Sequence, residues 1–289
     1  MLLHDFLPGP AVREFVRWYR IVHFSFDKQA AIPAKFYPPK PENCLHFFLR
    51  DPFYLGPSVD RRERQPAVLF SGQQSGCNVQ HNGPDFLDVQ VVFHPTAVFR
   101  LTGVSAAELA NQFVDASLLF DRTVGDVWEQ LQGAASYPAL LARVEAFVLA
   151  LVRQTPRRPR LGPPVHRLDA LANRLATGAP QALEALAGEA CLCPKQFHRK
   201  FYERVGVAPK LFARIARFNQ AFNLKNGCPE RDWLSIAVAC GYYDYQHLAK
   251  DYRALTGSLP PALHMREGSS PERVLGLTDE VYRARNGHT

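Results

Sequence analysis

Apolar residues follow different periods along this chain, and the changes of period mark out its organisation. Over residues 10–22 (PAVREFVRWYRIV), Val12, Phe15, Val16 and Tyr19 recur at helical spacing, which predicts a short opening helix. From about 21 to 95 the texture is that of strands. The runs IVHFSF, CLHFFL, AVLFSG and LDVQVVFH are short, rich in β-branched and aromatic residues, and divided by Pro, Gly, Asn and Asp. Gly72, Gly76, Gly83 and Pro84 supply turns, so a small antiparallel sheet or barrel is expected. After Pro95 a helical period returns through Ala97, Phe99, Leu101, Leu109 and Phe113. Residues 124–132 and 137–153 continue it, the second with Leu140, Val144, Phe147, Val148 and Leu151 three and four apart. These helices are expected to close a first domain, 1–153.

Residues 154–164 (QTPRRPRLGPP) hold four prolines, which forbids regular structure and predicts a linker. From 165 onward the pattern is helical almost throughout, giving an α+β chain: sheet with helices in front, an all-α domain over 165–266 behind, and a tail, 267–289, expected to be frayed beyond a turn of helix near Val274 to Tyr282.

Within the helical half one segment is written twice. Phe197/Leu248, Arg199/Lys250, Phe201/Tyr252, Gly206/Gly257 and Pro209/Pro260 are all 51 residues apart and match in character. Each copy reads as a short apolar helix, a tight turn, and a second helix with a polar outer face. In the first copy Phe197 and Phe201 face inward, leaving Lys195, His198 and Arg199 outward with Gln196 and Lys200 at the edges. In the second, Leu248 and Tyr252 face inward, with Tyr245, Gln246, Ala249 and Lys250 outward. Such faces suit the major groove, where Arg or Lys pairs with guanine O6 and N7 and Gln with adenine. Phe212, Ile215, Phe218 and Phe222 form a stripe on a helix between the copies, which both copies are expected to pack.

The charge distribution agrees. The formal net charge is +7, but residues 1–152 hold 13 Lys and Arg against 15 Asp and Glu, whereas residues 153–266 hold 18 against 8. A basic half attached to a mildly acidic one fits a polyanion binder joined to a sensor. Six cysteines without framework spacing imply reduced thiols. No run reaches the length of a membrane span, so a cytoplasmic protein is expected.

Residues 166–266 resemble the DNA-binding domain of AraC-type transcription regulators. The resemblance lies in LxxLA before the first turn, in PKQFHRKFYERVGVAPKLF, and in IAVACGYYDYQHLAKDYRALTGSLPP. It implies two helix-turn-helix units bridged by a long helix, with Lys195, His198, Arg199, Tyr245, Gln246, Ala249 and Lys250 facing bases. Cys191 stands where the first turn usually has Gly, and Cys193 where the cap is usually Ser. Residues 1–153 are similar, through FHPTAVFRLTGVSAAELANQ, to a domain of unknown function in some of these regulators, which implies effector sensing or dimerisation. The expected partners are double-stranded promoter DNA, a small-molecule effector, a second copy of the chain and RNA polymerase, with no catalysis and no cofactor. Two rival readings remain: a cupin-like metalloenzyme using His23, His46, His81 and His94, whose spacing is not that of a metal motif, and a non-specific nucleic-acid binder using the basic half.

Overall fold

Alternation along the strands sets the layers of the N-terminal region. The computed structural model describes residues 1–154, 166–178 and 181–278. Ten strands run as β1 Leu2–Phe6, β2 Val16–Ser25, β3 Lys35–Tyr37, β4 Asn43–Phe48, β5 Tyr54–Leu55, β6 Glu63–Arg64, β7 Val68–Ser71, β8 Asn78–His81, β9 Asp85–Phe93 and β10 Phe113–Asp115. They form a six-stranded sheet, β1-β2-β9-β4-β7-β10, and a four-stranded one, β3-β8-β5-β6, antiparallel at every pairing. Both are open sheets, the first of the two alternatives expected, and the barrel is not closed.

Successive strand residues point to opposite faces. One face of the large sheet, including Ile21, Leu45, Phe47, Phe70, Val89 and Val91, is buried beneath helices. These are α1 Ala97–Thr102, α2 Ala106–Leu109, α3 Ser117–Phe120, α4 Thr123–Gln132 and α5 Tyr137–Gln154, the last inserting Leu140, Val144, Phe147 and Val148. The other face packs Val22, Phe24, Phe48, Leu69 and Phe86 with Phe53. Each side chain so buried contributes roughly 1.5–3 kcal/mol of transfer free energy.

The opening helix expected over 10–22 is not formed. Residues 10–15 make turns, and 16–25 are β2, paired with β1 and along the whole of β9. A register shift between Val16 and Trp18 puts Val16 and Tyr19 on the same core although they are three apart, and this imitates a helical period. Phe113, read as helical, is in β10 against β7, extending the sheet edge.

The helical half consists of α6 Arg167–Leu175, α7 Leu183–Glu189, α8 Pro194–Val205, α9 Pro209–Gly227, α10 Trp233–Ala239, α11 Tyr245–Thr256, α12 Pro260–Gly268 and α13 Pro271–Val274. The expected linker, apart from Gln154, and the chain beyond Thr278 lie outside the described residues. Two cores fill this half. Leu168, Leu186, Phe197, Phe201 and Phe212 belong to the first; Ile215, Phe218, Phe222, Ile236, Leu248 and Tyr252 belong to the second. The aromatic stripe of α9 thus divides between them, and Leu211 touches both.

The tail is not frayed where it is described. Glu267, Pro271 and Glu272 are buried, Leu275 and Leu277 pack against the aromatic cluster of the sheet region, and Glu272 pairs with Lys35 of β3. Arg273 donates to Asn226 Oδ1 at the end of α9 at 2.7 Å. The segment is fixed because it covers apolar surface on the sheet side and meets a polar partner on the helical side. Among the described residues no helix is long and apolar enough to cross a membrane.

Candidate nucleic-acid interface

The second helix of each repeat, α8 and α11, is set at its first and last residues by local chemistry. Proline at N1 starts α8, where an amide donor is not needed, and the Cys193 amide donates to Gln196 Oε1 at 3.4 Å. Gly206, at φ +94°, ends the helix with its N–H on Tyr202 O. The second helix, α11, is capped by Asp244, whose Oδ1 accepts from the His247 amide at 2.7 Å, and it stops at Gly257, φ +70°. The two left-handed glycines are the pair predicted from the repeat, and both are followed by prolines that open the next helix.

On α8 the inward pair is Phe197 and Phe201, ring centroids 5.8 Å apart. Lys195, Gln196, His198 and Arg199 are exposed and Lys200 is half-buried. The Gln196 carbonyl oxygen is engaged at its own helix start, which leaves its amide donors for a partner. On α11, Gln246 and Lys250 are exposed, while Tyr245 is half-buried and packs on the second core. Ala249 does not face outward: it is 6% exposed. The buried arc of α11 runs over Leu248, Ala249, Asp251, Tyr252 and Leu255, because this helix packs on α9, α10 and α12 together.

Asp251 anchors that arc. Its two carboxylate oxygens take Arg214 Nη2 at 2.9 Å and Arg217 Nη2 at 2.8 Å, joining α11 to α9. Arg217 also lies 4.2 Å above the Tyr242 ring. Beside this junction a cleft of about 760 Å³ is lined by Lys210, Arg214, Arg217, His247 and Lys250 as well as Asp251. Its basic wall was missed in the sequence. The signal was present, since Lys210, Arg214 and Arg217 sit four and three apart on one side of α9, but the phenylalanine stripe drew the reading to the opposite side.

A second constellation lies on the face of the large sheet turned away from the helices, the one that carries Val22, Phe24, Phe48 and Phe86. Arg20 is opposite Gln90, Gln90 opposite His46, and Cys44 opposite Ser71. Buried Arg20 reaches Asp5 at 2.7 Å, Gln90 at 3.2 Å and Glu42 at 3.4 Å. Asp88 Oδ2 accepts from Gln90 Nε2 at 2.6 Å and lies 2.9 Å from His46 Nδ1, whose Nε2 is 3.2 Å from Ser71 Oγ. Asp88 Oδ1 is buried and meets no hydrogen-bond partner among the described residues. Burial opposes charge on His46, but Cys44 and Asp88 favour it, and the net effect raises its pKa to about 10. Phe48 stacks on the imidazole, and Phe24 and Phe86 continue the row.

The four histidines of the metalloenzyme reading are dispersed among separate partners. His23 Nδ1 is 2.7 Å from Tyr137 Oη, His46 is bound up with Asp88, His81 Nε2 meets Gly56 O, and His94 is desolvated beside Arg13 and Asn173. Among the described residues no group of three or more His, Cys, Asp or Glu could hold a metal ion.

No curated protein matches the sequence. Crystal structures of ToxT are similar in coordinates. ToxT from Vibrio cholerae O395 aligns at TM-score 0.45 and 10% identity over 89% of this chain and 99% of its own. Wild-type ToxT from strain SCE256, described as bound to an unsaturated fatty acid, aligns at TM-score 0.45 and 11% identity over 88% and 97%. Residues 186–266, which contain α8, α9, α10 and α11 with most of α7 and α12, match a family model described as a helix-turn-helix domain. This part of the chain is thus similar to helix-turn-helix domains.

Proposed function

We propose that the protein is a sequence-specific regulator of transcription that reads promoter DNA with α8 and α11. The observation behind the reading is the repetition itself: two units with the same buried pair, the same left-handed glycine and the same following proline, each presenting exposed cationic and amide side chains. In α8 the base-facing residues are Lys195, Gln196, His198 and Arg199 with Lys200 at the edge; in α11 they are Gln246 and Lys250 with Tyr245 at the margin. Lys210 meets the phosphate backbone at the cleft.

The sheet region serves as the sensor. A buried carboxylate oxygen without a partner, next to an imidazole, an amide and a guanidinium, favours a small effector that donates a hydrogen bond to Asp88. The chain works by binding rather than catalysis, in the cytoplasm, and RNA polymerase and a second copy of the chain are its macromolecular partners.

Selecting bound sequences from a random duplex pool, with and without small molecules from a cell extract, tests the reading. A defined site of about 17–20 bp is expected, matching two adjacent major-groove contacts. Arg199→Ala should then weaken the selected site by roughly 1–3 kcal/mol and random DNA by much less. Equal loss on both would remove Arg199 from base reading, and failure to select any sequence would favour non-specific binding.

A further inference from the structure

Leu263 of α12 belongs to the second core of the helical half, and the chain that follows it reaches back into the sheet region. Leu275 and Leu277 pack on the cluster of Phe24, Phe48, Phe53 and Phe86. Three charged contacts flank them. Arg266 of α12 lies 4.5 Å over the Phe36 ring of β3, Glu272, only 2% exposed, pairs with Lys35 of the same strand, and Arg273 Nη2 donates to Asn226 Oδ1 at 2.7 Å where α9 ends. The unit that carries α11 is thereby fastened to β3 and the aromatic cluster, at a place separate from the seat of α8 on α1 and α2. The fastening is incomplete in its hydrogen bonds. Ser270 Oγ, Glu272 Oε2 and Thr278 Oγ1 are buried and meet no hydrogen-bond partner among the described residues. Each gives up water on closing and regains it on opening, which cancels part of the apolar gain from Leu275 and Leu277. A segment balanced in this way opens at less cost than the cores on either side of it.

We propose that residues 271–278 are an autoinhibitory strap: closed, they hold the second unit against the sheet region, and their release lets α11 follow α8 onto DNA. Two attachments fix the units to the N-terminal region, whereas successive major grooves impose the spacing of the duplex. A chain held at both points adjusts by letting go of one, and the strap, with its unpaired polar atoms, is the one that yields. Its leucines rest on the cluster whose Phe48 stacks on His46, so a molecule lodged beside Asp88 bears on the strap as well. The effect on DNA rests on the regulatory reading; the opening of the strap does not.

Trypsin cleavage after Arg273 in the full-length chain reports the open strap, because cleavage follows the population of the open form. Affinity for the selected duplex is measured beside it. Lys35→Glu and Glu272→Lys each set like charges together, and each should speed that cleavage severalfold and raise affinity about fivefold or more. The first makes the chain more acidic and the second more basic, so a general charge effect on DNA would move them in opposite directions. Lys35→Glu combined with Glu272→Lys restores an ion pair and should return both readouts toward wild type. Leu275→Ser, which leaves the pair in place, should give the same two shifts, and it stands in for a charge variant that does not fold. Unchanged cleavage in the single charge variants and in Leu275→Ser overturns the strap. Faster cleavage with affinity unchanged or reduced overturns its inhibitory role. A wild-type chain that selects no duplex counts instead against the regulatory reading, and cleavage alone then judges the strap.

Discussion

His46 and Asp88 show what one buried polar pair does for the sheet region. The imidazole sits among phenylalanines, and desolvation alone would keep it neutral, yet Cys44 and Asp88 hold its pKa up to about 10. A histidine in the unfolded chain titrates near 6.5, so the folded state binds the proton more tightly. The resulting stabilisation is complete below about pH 6.5 and disappears as pH rises through about 10. His46→Gln keeps a hydrogen-bonding side chain but loses the charge. Its melting temperature should fall furthest below wild type near pH 6, and the gap should close toward pH 10. A gap that is constant over that range would mean that His46 is neutral in the folded protein.

At the scale of elements, the repeated helix-turn-helix units were legible and the cause is physical. A helix that must bury two aromatic or leucine side chains, end on a left-handed glycine and hand over to a proline leaves five positions with little freedom, so two copies remain in register at an offset of 51. The same local chemistry predicts energies. Asp244→Ala removes the acceptor for the His247 amide and should cost about 1 kcal/mol, seen as a lower thermal midpoint with the reading-helix contacts otherwise unchanged. No loss would show that α11 is held by Asp251 and its core face alone. What was not legible depended on partners far away in the chain. The opening segment became β2 because β1 and β9 complete its hydrogen bonds, and Ala249 turned inward because three helices surround α11. The polar band on the face turned away from the helices could not be read as a site, since Arg20, His46, Ser71 and Asp88 come together only through cross-strand register.

At the scale of the molecule, α8 of the first unit is held by the N-terminal region. Buried Arg204 of α8 pairs with Asp169 at 3.1 Å and lies 4.8 Å over the Phe99 ring, while Arg100 bridges Asp169 at 3.7 Å and Glu14 at 2.6 Å. Ser105 Oγ donates to Glu203 O at 3.4 Å, so the end of α8 rests on α1 and α2. A signal that reaches these helices has a direct route to a reading helix, provided that the packing has two arrangements. The repeat supplies its own control. A Cβ on Gly206 would fall 2.7 Å from Ala106 O, a backbone atom that cannot swing away, whereas a Cβ on Gly257 meets nothing within 4 Å. Both glycines have positive φ, so Gly257→Ala carries only the backbone penalty of about 1–2 kcal/mol. Gly206→Ala adds a clash of roughly 1–3 kcal/mol against α2. Denaturant unfolding of the full chain should therefore find Gly206→Ala the less stable of the two by that margin; equal losses would show that α8 does not bear on α2 in solution and that the two halves are not coupled through this contact.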